Sequence, residues 1–232
     1  MEEHEKEALR QSYLEGRILL LDKPYQWTSF DVVNKIKSLL RYRLGVKKIK
    51  VGHAGTLDPL ATGLLIICTG RATRQIESFQ GLDKTYTGTF HIGKTTPSFD
   101  LEKEPDQDYP VAHITEDLLL ATANSLVGEQ RQVPPLFSAK KIAGKRAYTH
   151  ARAGLKTELQ ANNIIIKTFE ITRIEMPEVD FRVVCSKGTY IRALARDYGE
   201  SLGSGAYLSA LRRTHIGTHS VENAIHINEL QL

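Results

Sequence analysis

The sequence predicts an α+β fold, with a mixed, largely antiparallel central sheet flanked by helices. Strand-like and helix-like stretches mix along the chain without the regular βαβ alternation of a parallel sheet. Residues 85–92 alternate: Tyr86, Phe90 and Ile92 face one way while Thr85, Thr87, Thr89 and His91 face the other, as in a half-buried strand. At 232 residues, 41% hydrophobic and 25% charged, the chain can bury a sizeable core within one large domain.

Residues 1–16 read as a flexible acidic lead-in carrying Glu2, Glu3, Glu5, Glu7 and Glu15, and residues 17–232 as a single domain. A short strand, Ile18 to Leu21, meets Asp22-Lys23-Pro24, where proline ends it. Ser29 is placed to cap a helix whose apolar residues Val32, Ile36, Leu39 and Leu40 recur with a helical period. Residues 41–50 then carry Arg41, Arg43, Lys47, Lys48 and Lys50 with no acid among them. A glycine-rich loop over 52–63 leads into the apolar strand Leu64-Leu65-Ile66-Ile67-Cys68, a short helix near 72–80, and the alternating strand. Residues 93–114 hold Pro97, Pro105 and Pro110, lack any period, and read as a long mobile loop.

Thr115 opens a helix through Leu118, Leu119 and Leu126. After Pro134-Pro135 comes a second basic segment, 138–152, with Lys140, Lys141, Lys145, Arg146 and Arg152 around Tyr148. Strands are expected at 163–168, 169–175 and 179–185. A helix over 189–202 buries Ile191, Leu194, Tyr198 and Leu202 and puts Arg192 and Arg196 together on another face. A second helix near 205–212 and a strand near 215–221 complete the series.

Composition and spacing exclude several chemistries. Cys68 and Cys185 sit in separate apolar runs, which gives neither a disulfide framework nor a metal spacing and points to a reducing, cytoplasmic setting. The early glutamates argue against a secretory leader, and no apolar run approaches membrane-spanning length. There is no H-E-x-x-H or paired-cysteine spacing for a metal, and no G-x-S-x-G elbow for a serine hydrolase. Gly88 to Thr95 satisfies the phosphate-loop pattern G-x-x-x-x-G-K-[ST]. However, Thr89 to Ile92 continue a strand, and Pro97 and Pro105 oppose the helix that Lys94 should start. Gly203-Ser204-Gly205 begins a dinucleotide-binding pattern, but Leu208 fills the third glycine position. Net charge is +4 with a pI near 9.0, concentrated in the two basic segments. Such patches suit a polyanion neutralised at several phosphates, although charge alone favours two solvated faces.

The strongest functional signal is Gly52-His53-Ala54-Gly55-Thr56-Leu57-Asp58-Pro59-Leu60-Ala61-Thr62-Gly63. Three glycines around one imidazole and one carboxylate suggest backbone shapes closed to other residues, or a ligand lying against the main chain. Asp58 with Pro59 could cap a helix, but that leaves the glycines unexplained. A reactive carboxylate explains more. With no metal and no second acid it serves as nucleophile or base, and it needs a cation, most naturally an arginine, to hold it ionised.

This loop resembles the signature of the TruB-type tRNA pseudouridine synthases. Leu20-Leu21-Asp22-Lys23-Pro24, Lys84-Thr85-Tyr86, Cys185-Ser186-Lys187-Gly188-Thr189-Tyr190-Ile191-Arg192 and Leu211-Arg212-Arg213 resemble further stretches of that family, in the same order over residues 17–220. The resemblance implies the pseudouridine synthase catalytic fold and an isomerisation that uses no cofactor and no metal. Uracil is detached from its ribose, rotated, and rejoined through carbon instead of nitrogen, at the T-loop uridine of tRNA (position 55). It implies that Asp58 is the essential catalytic residue, attacking the sugar or removing a ribose proton. Arg192 should pair with Asp58, and Tyr86 should stack on the target base. Tyr190 and Leu211 should line the base pocket, His53 should contact RNA near the flipped nucleotide, and Lys23 should support the pocket or contact RNA.

Without the resemblance, Arg192 reads as an exposed helix arginine, Tyr86 as a half-buried strand tyrosine, and Tyr190 and Leu211 as core. A uridine inside a folded loop must be flipped out to be reached. The basic segments, with Tyr42 and Tyr148 among them, suit recognition of RNA by phosphate contacts and stacking. The sequence departs from the family where G-x-x-T-D-T-x-D-x-x-G is usual: here it reads Gly93-Lys94-Thr95-Thr96-Pro97-Ser98-Phe99-Asp100, in the loop expected to clasp RNA. Many relatives carry a C-terminal RNA-binding domain. Here the catalytic core is expected to supply the affinity itself, as a monomer with no obligate protein partner. Two alternatives are the catalytic subunit of a guide-RNA-dependent particle and a non-catalytic tRNA-binding or folding module.

Overall fold

The computed structural model describes residues 3–136, 141–142, 145–146, 159–227 and 229–230. In chain order the elements are α1 (Glu3–Glu15), β1 (Ile18–Lys23), α2 (Ser29–Leu44), β2 (Val51–His53), β3 (Ala61–Thr69), a 3-10 turn (Gly70–Gln75), α3 (Ile76–Gly81), β4 (Lys84–Ile92), β5 (Lys94–Thr95) and β6 (Gln107–Asp108). They continue with α4 (Glu116–Ser125), β7 (Gly128–Gln132), β8 (Lys141–Ile142), β9 (Lys145–Arg146), β10 (Asn162–Glu175), β11 (Glu178–Cys185), α5 (Ile191–Ser201), β12 (Ala206–Ile216), β13 (His219–Ser220) and β14 (Ile225–His226). Of the second basic segment, Lys140, Tyr148 and Arg152 lie outside the described residues. The expected α+β architecture is present, with a large, mostly antiparallel sheet and helices.

The chain divides into two compact units, Met1–Tyr86 with Arg212–Leu232, and Thr87–Leu211. In the first, the strand order is β14-β1-β3-β12-β4, with β2 added to β3 and β13 to β12. β1 pairs antiparallel with β3 from Ile18↔Cys68 to Lys23↔Gly63, and parallel with β14, so the sheet is mixed. Leu64 to Cys68 are all 0% exposed, which explains why this strand reads as an unbroken apolar run. Leu65 and Ile67 pack on Leu21 and on Val32, Ile36 and Leu40 of α2; Leu64, Ile66 and Cys68 pack on Ala54, Phe79 and Ile216.

The acidic lead-in differs from expectation: it forms α1, because Tyr13 is buried against the same core and carries the Arg17 guanidinium 4.9 Å over its ring. The cap of α2 is also one residue earlier than expected. Thr28, not Ser29, accepts from Asp31 N–H, and Asp31 returns the bond to Thr28 N–H in a capping box.

In the second unit the order is β12-β4-β11-β10-β7. The two strands expected at 163–168 and 169–175 are one strand, β10. Its register against β11 shifts between Ile166 and Thr168, and that irregularity reverses the side-chain alternation and makes one strand read as two. The helix expected near 205–212 is instead β12: Leu and Arg favour helix in isolation, but a place between two strands overrides that preference. The phosphate-loop reading fails as expected, because β4 runs to Ile92 and Lys94 begins a strand.

The segment 93–114 is pinned at several points. β5 pairs with β6, Asp100 bridges to Leu208, and Thr96, Ser98 and Asp100 are 1%, 0% and 4% exposed. Its buried hydroxyls turn inward, Thr96 Oγ1 and Ser98 Oγ both donating to the Asp100 carbonyl. Among the described residues, no helix is long and apolar enough to cross a membrane.

The core of the second unit is aromatic. Phe90 stacks on Phe181 at 4.1 Å, Phe169 meets both edge-on, and Tyr198 of α5 closes the cluster and donates its hydroxyl to Leu119 O at 2.9 Å. Replacing Phe181, 1% exposed, by alanine should lower the unfolding free energy by about 3–5 kcal/mol. Urea unfolding followed by circular dichroism reads this directly, and a loss under about 1 kcal/mol would contradict the packing.

Candidate active site

Asp58 is half-buried on the loop between β2 and β3. No helix follows it. β3 begins at Ala61, whose N–H donates to Asp58 O at 3.1 Å, so the helix-cap alternative is not realised. Gly55 takes φ 104°, open to glycine at little cost, and a Cβ on Gly63 would come within 2.3 Å of Arg213 O.

A loop without ladder or helix leaves carbonyls to be satisfied by other groups, and here buried side chains do it. Arg213, 1% exposed, donates Nε to Leu64 O (2.8 Å), Nη2 to Gly55 O (3.1 Å) and Nη1 to Thr56 O (3.5 Å). Ser29 Oγ accepts from Leu57 N–H (2.9 Å) and donates to Leu57 O (3.2 Å). Lys23, 0% exposed, donates Nζ to Pro24 O (2.9 Å), Trp27 O (2.6 Å) and Pro59 O (3.2 Å). Gln26 N–H also reaches Pro59 O, at 2.9 Å. Arg212 grips Asp22 through both oxygens (3.0 and 2.6 Å) and reaches Thr62 Oγ1 (3.3 Å). Residues 55 to 64 are thus fastened on both sides of Asp58.

Burial lowers the Lys23 pKa to about 8; the charge of Asp58 works against this and that of Arg213 with it. Lys23 therefore stays largely protonated at neutral pH, with three carbonyls for its three protons. His53 is held below the usual imidazole range, by burial first and by the Arg213 cation second, so it is neutral there. Its Nδ1 is buried without a hydrogen-bond partner among the described residues. Tyr86, 8% exposed, lies on β4, whose start is set by Lys84 donating to Gln80 O and Leu82 O, both at 2.6 Å. Asp58, Lys23, His53, Tyr86 and Arg213 all belong to the first unit.

In the second unit, Arg192 is not the exposed helix arginine of the plainer reading. It is 4% exposed on the first turn of α5, with Nη1 donating to Ser98 O (3.3 Å) and Nε 3.5 Å from Asp100 Oδ2. Tyr190 caps that helix, its backbone N–H donating to Gln132 Oε1 (2.8 Å) and its carbonyl accepting from Gln132 Nε2 (3.1 Å). Leu211 is half-buried on β12. Sequence reasoning gave no role to Arg213, Ser29, Gln132 or Asp100 in holding these residues. Arg213 and Asp100 were visible only as parts of family stretches, Ser29 only as a candidate helix cap, and Gln132 carries no local pattern.

Lys23→Met should leave Pro59 O and its neighbours short of a donor and destabilise the fold by about 1–3 kcal/mol. The folded pKa lies below the free lysine value of 10.5, so the folded state sheds this proton first. The stability of wild type relative to Lys23→Met should therefore rise from about pH 8 towards pH 10.5, measured by urea unfolding across that range. Gln26 sits at φ 66°, so Gln26→Gly should raise stability by about 1 kcal/mol; a lower melting temperature would contradict the strain.

Residues 41–191 match the TruB family pseudouridylate synthase (N terminal domain), a span that contains His53, Asp58, Tyr86 and Tyr190. The tRNA pseudouridine synthase B of Flavobacterium johnsoniae is 58% identical over 218 residues, covering 94% of this chain and 95% of the relative. That of Phocaeicola vulgatus is 55% identical over 216 residues, covering 93% and 92%. Among solved structures, a chain of a Cbf5-Nop10-Gar1 complex superposes with a TM-score of 0.71 at 29% identity; the match covers 96% of this chain and 55% of that one. With its sequence matched across nearly its whole length and its sheet shared with a solved relative, the chain belongs to the TruB family of pseudouridylate synthases.

Proposed function

We propose that this protein isomerises the T-loop uridine of tRNA, position 55, to pseudouridine, with Asp58 as the group on which the reaction depends. The observation that carries this reading is a carboxylate presented from a loop fastened by Arg213, Ser29 and Lys23, inside the span matched by the family. Curated relatives named tRNA pseudouridine synthase B, over half identical to this chain, support tRNA as the substrate. They favour this over a guide-RNA particle, an alternative that activity on bare tRNA without guide RNA would exclude.

The chemistry asks little of the protein besides placement. The bond from ribose to N1 breaks, the freed uracil turns, and a bond from ribose to C5 forms; the proton lost from C5 is balanced by one gained at N1. Asp58 acts on the sugar, as nucleophile or as base towards a ribose proton. Tyr86 stacks on the flipped base, and Arg192, Tyr190 and Leu211 serve the same reaction. His53, neutral at pH 7, contacts the RNA rather than moving a proton. Lys23 supports the loop from below, through Pro59 O. The protein works as a monomer in the cytoplasm.

Asp58→Asn should abolish product, by at least ~10³-fold, while tRNA still binds. The readout is pseudouridine mapping of tRNA incubated with each protein. Modification surviving in the variant would remove Asp58 from the reaction, and an unchanged cellular phenotype for Asp58→Asn would favour the non-catalytic module.

A further inference from the structure

We infer that a basic concavity at the C-terminal end of α2 binds the phosphodiester backbone of the RNA substrate at a segment other than the nucleotide being isomerised. The inference rests on the RNA substrate proposed above, and adds to it a second contact made by different residues. The concavity has a volume of about 640 Å³ and is lined by Lys37, Arg41, Lys47, Lys48 and Lys50, with Tyr42 beside them. It shares no residue with the Asp58 loop or with the groups that fasten that loop. No carboxylate lines it, and none of the five cations makes an ion pair or a side-chain hydrogen bond among the described residues.

This arrangement is unfavourable for the protein alone. Lys37 and Arg41 stand four residues apart on one helix face, where like charges repel by a few tenths of a kcal/mol. Arg41 and Arg43, in the last turn, can offset the negative end of the helix dipole, but Lys47, Lys48 and Lys50 lie beyond the cap at Gly45 and gain nothing from it. These lysines are also not on a loose tail. Val46 is 4% exposed in the core of α2, its N–H bonds to Leu40 O at 3.1 Å, and Ile49 packs on the same core. Buried Val46 and half-buried Ile49 therefore fix the backbone between which the lysines are displayed to solvent.

A fixed, unpaired, one-sign cluster calls for an external anion. A small-molecule site would be enclosed and mostly apolar, whereas here the cations are exposed side chains around an open floor. That shape fits a strand of phosphates running across it. Tyr42, 78% exposed with the Arg41 guanidinium 5.9 Å from its ring, offers a stacking face for an unpaired base or a ribose of the same strand.

The test is tRNA binding by wild type and by a Lys37→Gln/Arg41→Gln/Lys48→Gln triple variant, titrated across salt concentrations. Each lost phosphate contact should lower the slope of log K against log salt by ~0.7–0.9, so the triple variant should lose ~2 from the slope and bind at least ~10-fold more weakly at low salt. Tyr42→Ala should weaken binding ~5–150-fold with the slope unchanged. A triple variant that keeps the wild-type affinity and slope overturns the inference. If its melting temperature has fallen, the single variants Lys37→Gln and Lys48→Gln decide the matter, each expected to lower the slope by ~0.8. Pseudouridine formation by wild type, measured in parallel, separates the two readings. Product with an unchanged slope rejects this site alone; a reduced slope without product rejects the proposed reaction and leaves the site standing.

Discussion

Two buried cations that bond to backbone rather than to carboxylates hold the candidate site in place. Burying a charge is expensive, by several kcal/mol even after relaxation, unless hydrogen bonds replace the lost water. A loop that belongs to no helix or ladder has the complementary problem of carbonyls without donors. Arg213 and Lys23 resolve both problems at once, with guanidinium and ammonium each taking three carbonyl oxygens. Removing either cation leaves unsatisfied oxygens around Asp58, and removing the loop leaves the cations without partners.

This dependence explains why the anchors come from separate elements. Lys23 ends β1, Ser29 begins α2, and Arg213 lies late on β12. All three elements, with the loop, sit on or against β3, which is buried on both faces and paired on both edges. Main-chain contact between Gly63 and Arg213 leaves no room for a Cβ, so the strand pairing that brings Arg213 to the loop requires glycine at that one position. The result is a carboxylate whose backbone is preorganised before any substrate arrives, the condition under which a single side chain contributes most to a reaction.

In the second unit Arg192 is a further buried cation, but this one meets a carboxylate as well as a carbonyl. Its guanidinium lies among the buried polar residues of the 93–100 stretch, against Ser98 O and Asp100. This stretch departs from the usual family pattern yet retains a carboxylate at Asp100. Pro97, Ser98 and Phe99 take the places between, with Phe99 at φ 60° and its ring 5.2 Å from the Arg196 guanidinium.

By itself the sequence determined the fold class, the apolar run of β3, the alternation of β4, the helix after Tyr190, and Asp58 as the residue to watch. Those features are local: periodicity, glycine spacing and one acid leave their mark within a dozen residues. Tertiary structure decided the rest. β12 carries a helix-like composition, and only its place between β3 and β4 makes it a strand. β10 reads as two strands because a register shift is written in its partner as much as in itself. The lead-in is a helix because Tyr13 meets a core assembled from β1, β3 and α2. The bonding partners of Arg213, Ser29 and Lys23 appear only once the chain has folded, since a hydrogen bond between residues 158 positions apart has no sequence period to announce it.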